Sequence, residues 1–195
     1  MKTTKKALLL TICALLLVAA SVLGTMAYLT SRDNVVNTFT VGAVKITLDE
    51  AEVAADGTPV TPAARVKANS YHLLPGRTYT KDPTVHVDNG SENCWLFVKV
   101  ENGIAAIEDS ANTIAAQLTA NGWTAVTGTT DVYAYSRAVS KGENVRVFDT
   151  FRISGDVNAA TLANYANATV TVTAYAVQAD GFATAEAAWT AANFQ

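Results

Sequence analysis

Residues 93–102, Asn-Cys-Trp-Leu-Phe-Val-Lys-Val-Glu-Asn, decide the fold class. Side chains alternate across an extended chain, so Cys94, Leu96, Val98 and Val100 share one face and Trp95, Phe97 and Lys99 the other. Both faces carry large apolar groups. The stretch therefore reads as a central strand with one face in a core and the other partly covered.

Upstream of it, Val85 and Val87 start a strand that stops at Asp88-Asn89-Gly90, and Pro75-Gly76 makes a tight turn with Gly supplying positive φ. Ala51 to Asn69 holds Asp56-Gly57, Pro59 and Pro62 and reads as a loop or wide hairpin connection. Before that, Phe39 and Val41 alternate, Gly42 interrupts, and Val44, Ile46 and Leu48 resume. This predicts a half-buried strand with a bulge or kink at the glycine.

Downstream, Ile104, Ile107, Ala111, Ile114 and Leu118 fall at helical spacing, and Asn121-Gly122 closes that helix with a left-handed cap. Strands are expected again at 123–126, 132–139, 145–153 and 169–179, with Lys141-Gly142 as a hairpin turn between the second and third. Asp156 to Tyr165 reads as a short helix capped by Asp156, and "TAEAAWTAA" near the end as another. Many strands and few helices predict an all-β domain, a β-sandwich with one or two short helices inserted between strands.

The first segment has a different character. Lys2, Lys5 and Lys6 precede the apolar run from Ala7 to Leu23, followed by Gly24 and the small-x-small triplet Thr25-Met26-Ala27. This is the pattern of an export signal over 1–27, cut between Ala27 and Tyr28, leaving one domain over 28–195. The rival reading is an uncleaved anchor, but the run is shorter than the roughly 20 residues that span a bilayer comfortably.

Half of the residues are hydrophobic and 16% are charged, so a core can form and general disorder is excluded. The formal net charge is -3, and removing the three lysines makes the mature chain more acidic still. Without a concentrated basic face, nucleic acid is a poor partner. Cys13 leaves with the signal, so Cys94 stands alone and reads as a buried small hydrophobe.

The catalytic inventory is thin. His72 and His86 are the two histidines, no His-Glu-x-x-His pattern is present, and a shared metal site would need a further ligand such as Glu108. No Gly-x-Ser-x-Gly elbow or phosphate loop appears. Asp49, Glu50, Asp88 and Asp109 read as solvated turns and strand ends rather than paired carboxylates or calcium ligands. Trp95, Trp123 and Trp189 allow a sugar-stacking platform, but each lies in alternating text typical of core packing. No catalytic residue, cofactor site or metal site is assigned.

Three stretches carry a resemblance. Gly24 to Glu50 ("GTMAYLTSRDNVVNTFTVGAVKITLDE"), Leu73 to Glu101 with its Leu-x-Pro-Gly turn, Lys81-Asp82 step and Asn-Gly-Ser turn, and Ala168 to Phe182 ("ATVTVTAYAVQADGF") together resemble the TasA/camelysin family of exported Gram-positive proteins. The resemblance implies a jelly-roll-like sandwich and processing by a SipW-type signal peptidase. It implies a secreted protein, off the membrane after cleavage, placed at the cell surface or in the biofilm matrix. It also implies assembly with copies of itself or related fibre subunits, the segment from Tyr28 to about Val41 being donated as a strand with Val35, Phe39 and Val41 setting the register. The same segment reads equally as the first strand of its own sheet. A surface adhesion or carbohydrate-binding module is the second expectation. A camelysin-like metallopeptidase is the third, disfavoured because the zinc motif is missing.

Overall fold

The computed structural model describes residues 2–29 and 42–194. The chain separates into two compact units, residues 1–40 and 41–195. In the first, helix α1 covers Lys2–Leu29. Leu8, Leu10, Ile12, Leu15, Leu16, Leu17 and Val18 are all exposed along it, and four consecutive apolar exposures leave no polar face. Ala27 and Tyr28 fall at its C-terminal end. Among the described residues, no helix is long and apolar enough to cross a membrane. Val35, Phe39 and Val41 lie outside the described residues.

The second unit is mostly β. Its elements are β1 (Ile46–Ala51), β2 (Arg65–Val66), β3 (Thr78–Thr80), β4 (Thr84–Val87), β5 (Cys94–Asn102), a 3₁₀ turn (Ala105–Ile107), α2 (Ile114–Ala120), β6 (Trp123–Ala125) and β7 (Val132–Tyr135). There follow β8 (Asn144–Arg146), β9 (Thr150–Arg152), α3 (Ala159–Ala163), β10 (Val170–Gln178) and α4 (Ala185–Ala192). They form three antiparallel sheets, with strand orders β2-β1-β4-β8, β10-β5-β7-β6 and β3-β9. Val85 and Val87 of β4, Val145 of β8, and Leu96, Val98 and Val100 of β5 share one core, as two facing sheets of a sandwich do.

β5 is central, as expected, between β10 and β7. Cys94, Leu96 and Val98 are fully buried in that core. On its opposite face Phe97 is also fully buried, because α4 folds back and sets Trp189 5.0 Å from the Phe97 ring. The covering helix starts at Thr184, whose side chain accepts from the Ala187 N–H.

Several expectations are corrected. The helix expected over Ile104 to Leu118 is a 3₁₀ turn and a separate α-helix, because Glu108 is extended and bridges Ile153. Ile104, Ile107, Ile114 and Leu118 are nevertheless all buried, so four of the five periodic positions are core residues; Ala111, in the break between the two helices, is exposed. The strand expected over 145–153 is broken into β8 and β9: Val147 and Phe148 are successive and both fully buried, which a chain alternating between two faces does not allow. Lys141-Gly142 is a turn but not a hairpin. Val139 bridges Cys94 at the end of β5, whereas β8 pairs with β4, so the turn carries the chain from sheet to sheet. Gly142 has φ 79°, and a Cβ there would meet the Asn89 side chain at 2.6 Å.

Upstream, the described part of the strand expected through Gly42 is strand from Ile46, and residues 42–45 are not. The residues before it bond to a loop instead, with the Glu92 N–H donating to the Ala43 carbonyl and the Lys45 N–H to Ser91 Oγ. The 51–69 connection contains the short strand β2. α3 is capped by Asn158, which accepts from the Thr161 N–H at 2.9 Å, rather than by Asp156.

Candidate functional site

The exposed edges of this domain are unequal. β2, β6 and β8 end their sheets with two or three residues each, the short edge by which sheets avoid unwanted pairing. β10 ends its sheet with nine residues, Val-Thr-Val-Thr-Ala-Tyr-Ala-Val-Gln, without a charge or a proline. Among the described residues it is the long edge strand.

Which of its main-chain groups are free follows from the register. β10 and β5 pair over their whole length, Val170 opposite Asn102 and Gln178 opposite Cys94. The flanking bonds, Gly103 N–H to the Thr169 carbonyl at 2.9 Å and Ala179 N–H to the Asn93 carbonyl at 2.8 Å, show that odd-numbered residues of β10 bond to β5. Hydrogen-bonding direction alternates along a strand, so Val170, Val172, Ala174, Ala176 and Gln178 point their N–H and C=O groups outward. The side chains of the first four face the core. Tyr175 and Val177 face the other way, against the cluster around Phe97 and α4.

A groove of about 1100 Å³ runs beside this edge. Thr169–Val172 form one wall, with Leu48, Tyr71, Leu73 and Leu162 among the apolar groups of the rest. Its polar lining is locked in place. Lys81 pairs with Glu50 at 2.5 Å, both nearly buried, and Asn69 Nδ2 donates to Glu50 Oε1 at 3.0 Å and to the Ala51 carbonyl at 2.8 Å. The Tyr71 hydroxyl donates to the Thr80 carbonyl at 3.0 Å, and its ring meets Phe151 edge-on at 5.0 Å. Burial, helped by the nearby Glu50 charge, holds the Tyr71 phenol protonated well above its ordinary range. The groove therefore offers a mostly apolar trough next to main-chain donors and acceptors that have no partner among the described residues.

The outer face of the first sheet carries a charge network. Arg65 bonds Asp49 at 2.5 Å and Asp82 at 2.9 Å, while Asp82 also accepts the Ala51 N–H at 2.6 Å. The His86 ring bonds Asp49 through Nε2 at 2.8 Å and Asn144 through Nδ1 at 2.7 Å. Partial burial pushes the Asp49 carboxyl up, but hydrogen bonds from His86 and Arg65 and their charge outweigh it and hold the group below the usual carboxylate range. The Lys81-Asp82 step thus ties β1 to the chain entering β4, a role that nothing in its spacing revealed.

The other groups weighed from the sequence are not brought together. His72 lines the groove, and His86 sits in the charge network. Glu108 accepts from Asn102 Nδ2 at 2.9 Å and from the Ile114 N–H at 3.2 Å. No group of three or more His, Cys, Asp or Glu residues suited to a metal ion occurs among the described residues. Asp88 accepts from the Gly90 N–H at 2.7 Å, and Asp109 pairs with Arg152 at 2.9 Å. Trp123 is buried in the main core with its indole N–H on the Arg146 carbonyl, whereas Trp95 and Trp189 pack on the far side of β5. They form no common platform. Cys94 is fully buried, and burial pushes its thiol up to about 11.

The sequence named 169–179 as a strand without marking it as an edge. The absence of charge and proline is compatible with a central strand as well, so no local signal separated the two. Comparisons with protein-family models, with curated proteins and with solved structures return no match.

Proposed function

We propose that this chain is an exported structural protein of the cell surface or biofilm matrix, TasA/camelysin-like, with a jelly-roll-like sandwich. It assembles when the N-terminal segment of one copy, Tyr28 to Val41, adds as a strand to the β10 edge of the next. The observation that carries this reading is the nine-residue uncharged edge of β10 with its outward main-chain groups beside an apolar groove. Strand addition draws affinity from main-chain hydrogen bonds and register from alternate side chains entering pockets. In this reading Val35, Phe39 and Val41 enter the groove against Leu48, Tyr71 and Val172. Donor and acceptor are different surfaces, so the contact is head-to-tail and propagates as a filament.

A SipW-type signal peptidase is the partner expected at export, cutting between Ala27 and Tyr28. The role is non-catalytic. The adhesion reading rested on three tryptophans together, and Trp123 is buried in a different core from Trp95 and Trp189; the peptidase reading has no gathered ligand set among the described residues. The test is electron microscopy of the mature chain with and without Tyr28 to Val41. Fibres from the first and none from the second are expected; two monomeric preparations would sink the proposal.

A further inference from the structure

The free edge of β10 is complementary to itself, and we infer that two copies of this chain pair edge to edge through it, antiparallel about a two-fold axis at Ala174. This pairing uses the acceptor edge of the preceding proposal but depends on neither the leader nor the segment 28–41.

Parity along β10 sets the register. The outward-facing residues are Val170, Val172, Ala174, Ala176 and Gln178, and Ala174 is their midpoint. Rotation about Ala174 sets Val170 against Gln178 of a second copy, Val172 against Ala176, and Ala174 against itself. Every outward residue then meets an outward residue, and each such pair exchanges both N–H···O bonds, as antiparallel geometry requires. A rotation centred on an odd-numbered residue would set the same groups against each other in equal number only over a shorter overlap.

Charge does not oppose this. Lys, Arg, Asp or Glu on an edge strand would be carried into the seam of such a pairing, which is how edges are usually protected. β10 has none of them. On the outer face the pairing sets Thr173 beside Tyr175 and Thr171 beside Val177, neutral and β-favouring neighbours.

The two ends of β10 are also differently covered. Tyr175, near its C-terminal half, is packed by Trp189 and Phe194 at ring distances of 5.7 and 4.9 Å, whereas Thr171 and Thr173 of the N-terminal half are exposed. The two-fold at Ala174 brings the helix-covered half of one copy beside the bare half of the other. The small core-facing Ala174 and Ala176 then approach the end where the groove opens along Thr169–Val172. Because a donated strand needs the same main-chain groups, the paired form is a resting state that must open before strand addition.

The test uses the full chain with Cys13→Ser, compared with the same chain carrying Ala174→Pro. The Ala174 N–H points away from β5 and has no partner among the described residues, so proline there removes pairing at the axis and leaves the ladder to β5 intact. Sedimentation is expected to give a dimer for the first and a monomer for the second, with matching circular dichroism. A monomer in the first, or an equal dimer in both, overturns the inference. Register is read independently by nitroxide labels on Thr173→Cys and Gln178→Cys chains, the buried Cys94 staying unlabelled. The pairing places the two copies of residue 173 about 8 Å apart at Cα and of residue 178 about 27 Å apart. Strong dipolar broadening at 173 and weak broadening at 178 is expected; the reverse, or none at 173, overturns it. Fibres without a dimer overturn self-pairing and leave strand addition standing. A dimer without fibres does the opposite.

Discussion

Val98 and Ala174 stand opposite each other in the β5–β10 ladder, yet exchange no main-chain hydrogen bond. The Val100 N–H donates to the Asp131 carbonyl at 2.8 Å, so even-numbered residues of β5 turn towards β7. Val98 therefore spends its main-chain groups on β7, and Ala174 directs its own at the free edge. One residue of shift would have exchanged these roles.

Proline substitution reads this parity directly. Ala174→Pro should leave thermodynamic stability within about 1 kcal/mol of the parent, since no internal donor is lost. Thr173→Pro removes the N–H that bonds β5 and strands its partner, and should cost about 1–3 kcal/mol or more. Urea denaturation of the two variants checks it, and equal losses would refute the assigned register.

Asp82 should matter more than its position beside a turn suggests. Its carboxylate accepts from the Ala51 N–H and from Arg65. Asp82→Ala leaves the Ala51 N–H without its acceptor in a partly buried place and takes from Arg65 one of its two carboxylate partners, with an expected cost of about 1–3 kcal/mol. Asp88→Ala, which loses one exposed turn bond, should cost less in the same denaturation series.

Stability should fall on the acid side through Asp49. Its folded pKa lies below the unfolded value, so its contribution is complete above about pH 4 and is lost as pH falls through the folded value. The group is partly exposed, which limits the effect to about 1 kcal/mol or less. Asp49→Asn should flatten the acid limb of a plot of urea midpoint against pH; an unchanged limb would assign that limb to other carboxylates.

The two cysteines should differ sharply towards a thiol reagent near pH 8. Cys13 is exposed and should react at once. Cys94 is fully buried with its thiol pushed up to about 11, so it should react only as fast as the domain opens. Immediate labelling of two thiols in the native chain would contradict the packed core around β5.

Phe97→Ala should separate α4 from the sheet. The ring is fully buried and touches Trp189, so a loss of about 3–5 kcal/mol is expected, with a shift in tryptophan emission. A silent emission spectrum would mean that α4 does not cover this face.

Strand composition was legible wherever one residue type per face repeated. β5, β10 and α4 were expected close to their observed limits, and the buried set Ile104, Ile107, Ile114 and Leu118 was recognised despite the wrong helix length. The misreadings share a cause. Val145 to Ile153 is apolar enough for one strand, but its middle pair is buried from both sides while the chain changes sheets. The extended Glu108, held by a bridge to Ile153 some forty-five residues away, broke the expected helix. The candidate edge was illegible for a similar reason: neutrality and β-propensity describe a central strand and an unprotected edge alike.

Alternation and turn chemistry, which act between neighbours in the chain, were enough to establish a mostly β domain, most of its main core residues and the distinct apolar character of the first segment. They act over a few residues and are written in them. Pairing partners, the crossing between sheets and the exposure of β10 arise from contacts between residues far apart in sequence. Only folding in three dimensions chose among the strand orders that the same local pattern permits, and with that choice which main-chain groups were left free.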